Sequence, residues 1–230
     1  MRPVEKGPAP KVYADYSEAL GDLIAAVGDF CSYCERQIET HLAVEHIQPK
    51  SRRKALRNEW SNFLLACVNC NSCKGKKHVD LDRHVWPDRD NTMRAFVYAP
   101  DGTVHVNPRL RAANRSLANA TLILVGLDRV PGNSDRRKRP SKADLRWRRR
   151  QEAWDLAVRE RQRLRANDSV VVRELIADVA HGRGMFAIWM QVFATDPDMR
   201  ARLVARFSGT ARRCFDATSH ALRKRRGGRL

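Results

Sequence analysis

The chain has 230 residues, 43% apolar and 30% charged, so it is long enough to bury a core and not polar enough to stay disordered. Its 44 Lys plus Arg against 26 Asp plus Glu leave +18, a charge that repels itself in a compact body unless a polyanion or acidic partner offsets it. The longest apolar run, residues 185–194, is far short of the roughly 20 residues a bilayer span needs, and the opening residues carry no apolar signal core, so a cytoplasmic protein without membrane insertion is expected.

Residues 1–12 read as a Pro- and Gly-rich lead-in. Tyr16, Leu20, Leu23, Ile24 and Val27 then recur at helical spacing, which predicts a helix over 13–27 closed by Gly28. Residues 42–47 read as a short strand followed by a Pro-containing loop; residues 60–65 form a second apolar segment, and a helix is expected from about Asn71. Two β-rich runs flank Pro100-Asp101-Gly102 within residues 95–106, a hairpin signal. A helix or helix-to-strand transition is expected over 114–127, and the turn-forming, basic residues 131–140 suit a linker. Beyond it Trp147, Trp154 and Val158, flanked by Ala153, Ala157 and Leu164, predict one long amphipathic helix within 141–167. Three more helices are expected over 169–181, 184–194 and 196–207, before the basic run Arg223–Arg229.

Charge is unevenly shared. Residues 1–130 carry 19 basic and 15 acidic side chains, whereas residues 131–230 carry 25 and 11, so most of the excess lies in the second part. Nucleic acid is the expected partner, against the blander reading of a basic but merely solvated helical surface. The organisation expected is a 1–130 unit, a 131–140 linker and a 141–230 basic helical domain.

Cys31 and Cys34 form one CxxC pair and Cys67 and Cys70 a second, with 32 residues between. In a chain this long and a reducing compartment, that spacing points to a structural zinc held by four thiolates rather than to disulfides. Cys73 is an extra thiol, expected to face the helix interior, and Cys214 reads as a small core residue.

Between and after these pairs stand EHIQPKS from Glu45 to Ser51, WSNFLLAC from Trp60 to Cys67, and CNSCKG from Cys70 to Gly75. These segments resemble the HNH endonuclease family. The resemblance implies an α+β chain in which a ββα-metal module with a four-cysteine zinc site, core residues 29–79, is followed by a mainly helical basic region. It implies His46 as general base, Glu45 as carboxylate ligand of a catalytic divalent cation (Mg²⁺, Mn²⁺ or a similar ion), Asn71 as a second oxygen ligand, and Asn62 as the residue that holds the loop aiming His46. Family members more often carry Asp where Glu45 stands. Lys50, Arg52, Arg53 and Lys74 surround the motif and are expected to bind flanking phosphates, Arg forks being especially effective there; each is equally readable as a solvated charge. His78 and His84 lack supporting neighbours and read as surface or helix-end residues.

The resemblance implies hydrolysis of nucleic-acid phosphodiester bonds, DNA foremost, leaving 5′-phosphate and 3′-hydroxyl ends. A looser likeness, through MRPVEKG at the start, Trp86-Pro87-Asp88, Tyr98 to Gly102, Gly126 to Arg129 and Asp144 to Trp147, extends to the HNH proteins of Septu-type and retron-linked anti-phage defence. That implies an ATPase partner that restrains or targets the nuclease, with the helical region as its docking surface; the second option is that the basic helices themselves bind the DNA backbone. The alternative is a zinc-stapled nucleic-acid-binding or ATPase-partner subunit that does not cleave by itself.

Overall fold

The computed structural model describes residues 1–230. Asp15 accepts a hydrogen bond from the Ser17 amide and Glu18 reaches back to the Asp15 amide, a capping box that starts a 3-10 turn at Tyr16–Glu18. The turn runs into α1 (Ala19–Val27), which Gly28 ends at φ 76° with its amide donating to the Ile24 carbonyl. Helical structure therefore begins after Tyr13, whose ring instead stacks on Trp60 at 6.0 Å between centroids.

Strands β1 (Ala43–His46) and β2 (Phe63–Ala66) pair antiparallel, with Ala43 opposite Ala66 and His46 opposite Phe63. All four residues of β2 are buried, as a strand packed between α1 and the cysteine knuckles must be. Helix α2 (Val68–Lys74) follows without a loop and starts three residues earlier than Asn71. The cause is the second cysteine pair: Cys67 is the extended cap residue and Cys70 lies in the first turn, so the knuckle and the helix start are one feature. These elements are the ββα unit of an α+β protein.

The hairpin forms as expected, β3 (Phe96–Tyr98) pairing with β4 (Val104–Val106). Its turn touches the next region: a Cβ at Gly102, which has φ 79°, would lie 2.3 Å from the Trp147 carbonyl oxygen. Only glycine accepts both that φ and that approach. After α3 (Ala112–Leu124) the residues 131–140 form turns and one short 3-10 segment. The rest is helical: α4 (Arg146–Ala166), α5 (Val170–Arg183), α6 (Phe186–Val192) and α7 (Pro197–Arg206).

On α4 the buried stripe is Arg146, Arg150, Ala153, Ala157, Glu160 and Leu164, while Trp147, Trp154 and Val158 are only half-buried. The tryptophan face expected to point inward is displaced because two alanines let α6 close in and because the two guanidinium groups have partners inside. Arg150 donates to the carbonyls of Gly102 at 2.6 Å and Leu127 at 3.3 Å, which gives the buried cation two local acceptors.

One cluster of buried side chains runs through the whole chain, taking in Val125 and Leu127 ahead of residues 131–140 and Ala153, Ala157 and Trp189 after them. The ends join it. Arg2 donates to the Val27 carbonyl at 2.5 Å and the Ser208 carbonyl at 2.6 Å, and Arg225 in the basic run donates to the Val4 and Pro87 carbonyls. No helix is long and apolar enough to cross a membrane.

Candidate active site and metal centre

The two cysteine knuckles close on each other. In the first, the Glu35 amide donates to the Cys31 carbonyl, Glu35 takes a left-handed φ of 62°, and the Ser32 amide ties the turn to Leu65 of β2. The second is the β2-to-α2 junction. Cys31, Cys34, Cys67 and Cys70 are all buried with their sulfurs within 4.8 Å of one another, and the Cys34 and Cys67 sulfurs are 3.7 Å apart. A tetrahedral zinc with sulfur at about 2.3 Å needs sulfur edges of about 3.8 Å. The donor set and its size fit a structural metal such as zinc. Burial pushes the Cys31 and Cys70 thiols up, whereas neighbouring thiols hold Cys67 down; four thiolates in this interior require a cation among them.

Cys73 is outside the cluster. It is part-buried, with its sulfur 3.5 Å from a guanidinium nitrogen of Arg146, and Cys214 is buried in the core.

On the other face of the ββα unit, β1, the loop after it and α2 line a cleft of about 1080 Å³. Glu45, His46 and Asn71 all line it, together with Tyr16, Lys50, Lys54, Arg57, Lys74 and Lys76. The chain therefore brings the acidic and imidazole groups of its first motif and the amide of its third to one wall.

His46 ends β1 with its ring edge-on between Tyr16 and Phe63, at 4.9 Å and 5.3 Å between centroids. Its Nε2 lies 2.8 Å from the Arg57 carbonyl oxygen. A carbonyl only accepts, so Nε2 carries the proton and the neutral ring keeps its lone pair on Nδ1. Burial lowers the pKa of His46, and the nearby cations Lys50, Lys74 and Arg57 act in the same direction, while the Arg57 carbonyl opposes them.

Glu45 is buried beside the Lys74 ammonium, which ends α2 and lies 2.7 Å from Glu45 Oε1. That contact is a close ion pair, and Oε1 has no other partner. Lys74 directs its bond to the His46 carbonyl oxygen, at 2.6 Å. Burial raises the Glu45 pKa and Lys74 partly offsets it. A carboxylate facing a cleft that also holds the Asn71 amide is the donor type a hard cation takes, with the Lys74 ammonium as its competitor.

Asn62 is set back from the cleft. Its Oδ1 accepts from the Gln48 amide at 2.8 Å, and its Nδ2 donates to the carbonyls of Gln48 at 3.0 Å and Leu56 at 3.1 Å. All three bonds fasten the loop between β1 and β2 across its base. Asn62→Ala is expected to lower stability by about 1–3 kcal/mol, since it leaves part-buried backbone groups of Gln48 and Leu56 without these bonds; an unchanged denaturation midpoint would show that the loop holds itself.

The basic residues divide. Lys50 lies over the Tyr16 ring at 3.5 Å and lines the cleft. Arg52 and Arg53 are exposed beside it, and Arg52 donates to the Lys76 carbonyl at 2.8 Å. Lys74 is 1% exposed, so the flanking-phosphate role expected of it is replaced by the contacts to Glu45 and His46. Lys54, Arg57 and Lys76 were not singled out in the sequence, because nothing local distinguishes them from other surface cations. His78 is exposed and His84 bonds the Asp80 carbonyl, both away from the cleft.

Residues 31–77 match the family profile described as HNH endonuclease, and that stretch holds both cysteine pairs, the two strands and α2. The chain thus carries an HNH endonuclease domain. Among individual proteins, it is 27% identical over 119 residues to a protein of Vibrio cholerae serotype O1 biovar El Tor assigned to retron Vc95 as an HNH endonuclease. The match covers 48% of this chain and 58% of that relative.

Proposed function

We propose that the chain is a metal-dependent endonuclease that hydrolyses phosphodiester bonds, DNA foremost, in the cleft between β1 and α2. The observation that carries this reading is the convergence of Glu45, His46 and Asn71 on one wall, behind a four-cysteine cluster that suits zinc. In this reading His46 Nδ1 takes a proton from the attacking water, and the Arg57 carbonyl keeps the ring in the tautomer that leaves Nδ1 free. Glu45 and Asn71 would hold Mg²⁺ or Mn²⁺. When bound, such an ion supplies a Lewis acid for the phosphate and the leaving oxygen. Lys50, Arg52, Arg53, Lys54 and Arg57 bind backbone phosphates on either side.

The deciding experiment incubates supercoiled plasmid with the protein in Mg²⁺ or Mn²⁺ and in chelator. Nicking that depends on the divalent ion is expected; tight binding with no nicking in either ion would overturn the reading. The phosphate-binding side chains have their own signature: Arg52→Ala with Arg53→Ala is expected to reduce the slope of log affinity against log salt by about 0.9 for each duplex phosphate left without its cation. An unchanged slope would remove these two residues from the interface.

A second reading has one observation in its favour. The Lys74 ammonium stands beside Glu45, where a metal ion would need the carboxylate. A zinc-stapled nucleic-acid-binding subunit that does not cleave by itself would use Lys74 in that way, and salt-sensitive DNA binding without turnover is its expected outcome.

The retron assignment of the relative supports an effector role in anti-phage defence. The Septu-type likeness adds an ATPase partner to this proposal. A gene for such an ATPase beside this one would support the pairing, and co-purification of the two products would test it directly.

A further inference from the structure

Arg146, the first residue of α4, is almost fully buried at 2% exposure and comes from the helical region rather than from the ββα unit. Its guanidinium donates to Cys70 Sγ at 3.1 Å and lies 3.5 Å from Cys73 Sγ. The same group donates to the Val125 carbonyl at 2.8 Å and the Gly126 carbonyl at 3.0 Å. Asp144 takes two further bonds, from Nε at 2.8 Å and from the second terminal nitrogen at 2.7 Å. Every face of the fork is used, and its orientation is fixed by a carboxylate and two backbone carbonyls before it reaches sulfur. Burial opposes the charge of a second guanidinium, that of Arg36, but the neighbouring Cys34 and Cys67 sulfurs raise its pKa.

Charge explains why two guanidinium groups are there. Four thiolates around a divalent ion carry two net negative charges, and the four cysteines are buried. An uncompensated double charge in a protein interior is costly, and hydrogen-bonded cations next to it remove that cost. Groups that bond to metal ligands also fix ligand orientation and hold the metal.

We propose that Arg146 belongs to the sulfur-bound metal site: its bond to Cys70 holds the thiolate in its ligating orientation, so metal retention in the ββα unit depends on α4. The proposal rests on zinc occupying the four cysteines. It makes Arg146 a positioning residue that does not line the cleft holding His46. Asp144 aims the guanidinium, and Cys73 shares it without joining the sulfur cluster.

The test uses the full chain. Wild type, Arg146→Met, Arg146→Lys and Asp144→Asn are purified, their zinc content measured, and zinc release followed with a chromogenic chelator in excess. Arg146→Met is expected to release zinc about 10–100-fold faster, in keeping with the loss of a group bonded to a metal ligand. Arg146→Lys and Asp144→Asn are expected to fall between it and wild type. After cobalt substitution, the thiolate-to-cobalt charge-transfer band should shift in Arg146→Met and return toward wild type in Arg146→Lys, a change that loss of packing alone does not produce. Folded Arg146→Met that releases zinc at the wild-type rate with an unshifted band overturns the proposal. If that variant does not fold, wild-type release rates in both Arg146→Lys and Asp144→Asn overturn it. Wild-type protein purified without zinc removes the metal reading itself, which is a separate failure from an inert Arg146.

Discussion

Replacing Cys67 with serine is expected to yield a chain that no longer folds cooperatively. Cys67 is the cap residue of α2, follows β2 directly and lies 3.7 Å from the Cys34 sulfur. Losing it opens the tetrahedron at the point where strand, knuckle and helix meet. The ββα unit has two four-residue strands and a seven-residue helix, too little apolar surface to fold unaided, so metal binding supplies much of its folding energy. Structural zinc binding is worth about 10–16 kcal/mol in small zinc peptides, comparable to the whole stability of an ordinary domain. The core is continuous from this unit into the helices, so the damage should spread. Loss of the cooperative thermal transition is the expected result, and a cooperative transition at the wild-type temperature in a zinc-free Cys67→Ser protein would refute it.

His46→Ala is expected to lower plasmid nicking by about 10²- to 10⁴-fold, the usual contribution of a positioned general base, while leaving DNA affinity close to wild type. The two readouts separate chemistry from binding. His46 contributes a neutral imidazole, held at Nε2 by the Arg57 carbonyl, and no positive charge to a phosphate. The substitution also removes two edge-on aromatic contacts, with Tyr16 and Phe63, so a modest fall in thermal stability should accompany it. Equal nicking by wild type and His46→Ala would take His46 out of the mechanism.

The local signals were strong where backbone chemistry speaks directly. Gly28 as a helix end, Pro100-Asp101-Gly102 as a hairpin turn and the paired CxxC spacing each have a mechanism within a few residues, and each appears where that mechanism puts it. The α4 stripe was harder to see. Arg146 and Arg150 look like surface residues in a helix of low mean hydropathy, and only the carbonyls of residues 102 and 125–127, brought in from elsewhere, make their burial favourable. Lys74 is the same case in the site: one cation among several in sequence, it is distinguished by a carboxylate 29 positions earlier that the β1–α2 packing sets beside it.

By itself the amino-acid sequence determined the four-cysteine cluster, through its paired CxxC spacing, while the ββα unit and the acid, imidazole and amide groups of the proposed site were legible only through the family resemblance. Tertiary structure decided which cations serve the interior. A buried guanidinium or ammonium is stable only where acceptors from distant segments converge on it, and such convergence leaves no periodic trace along the chain.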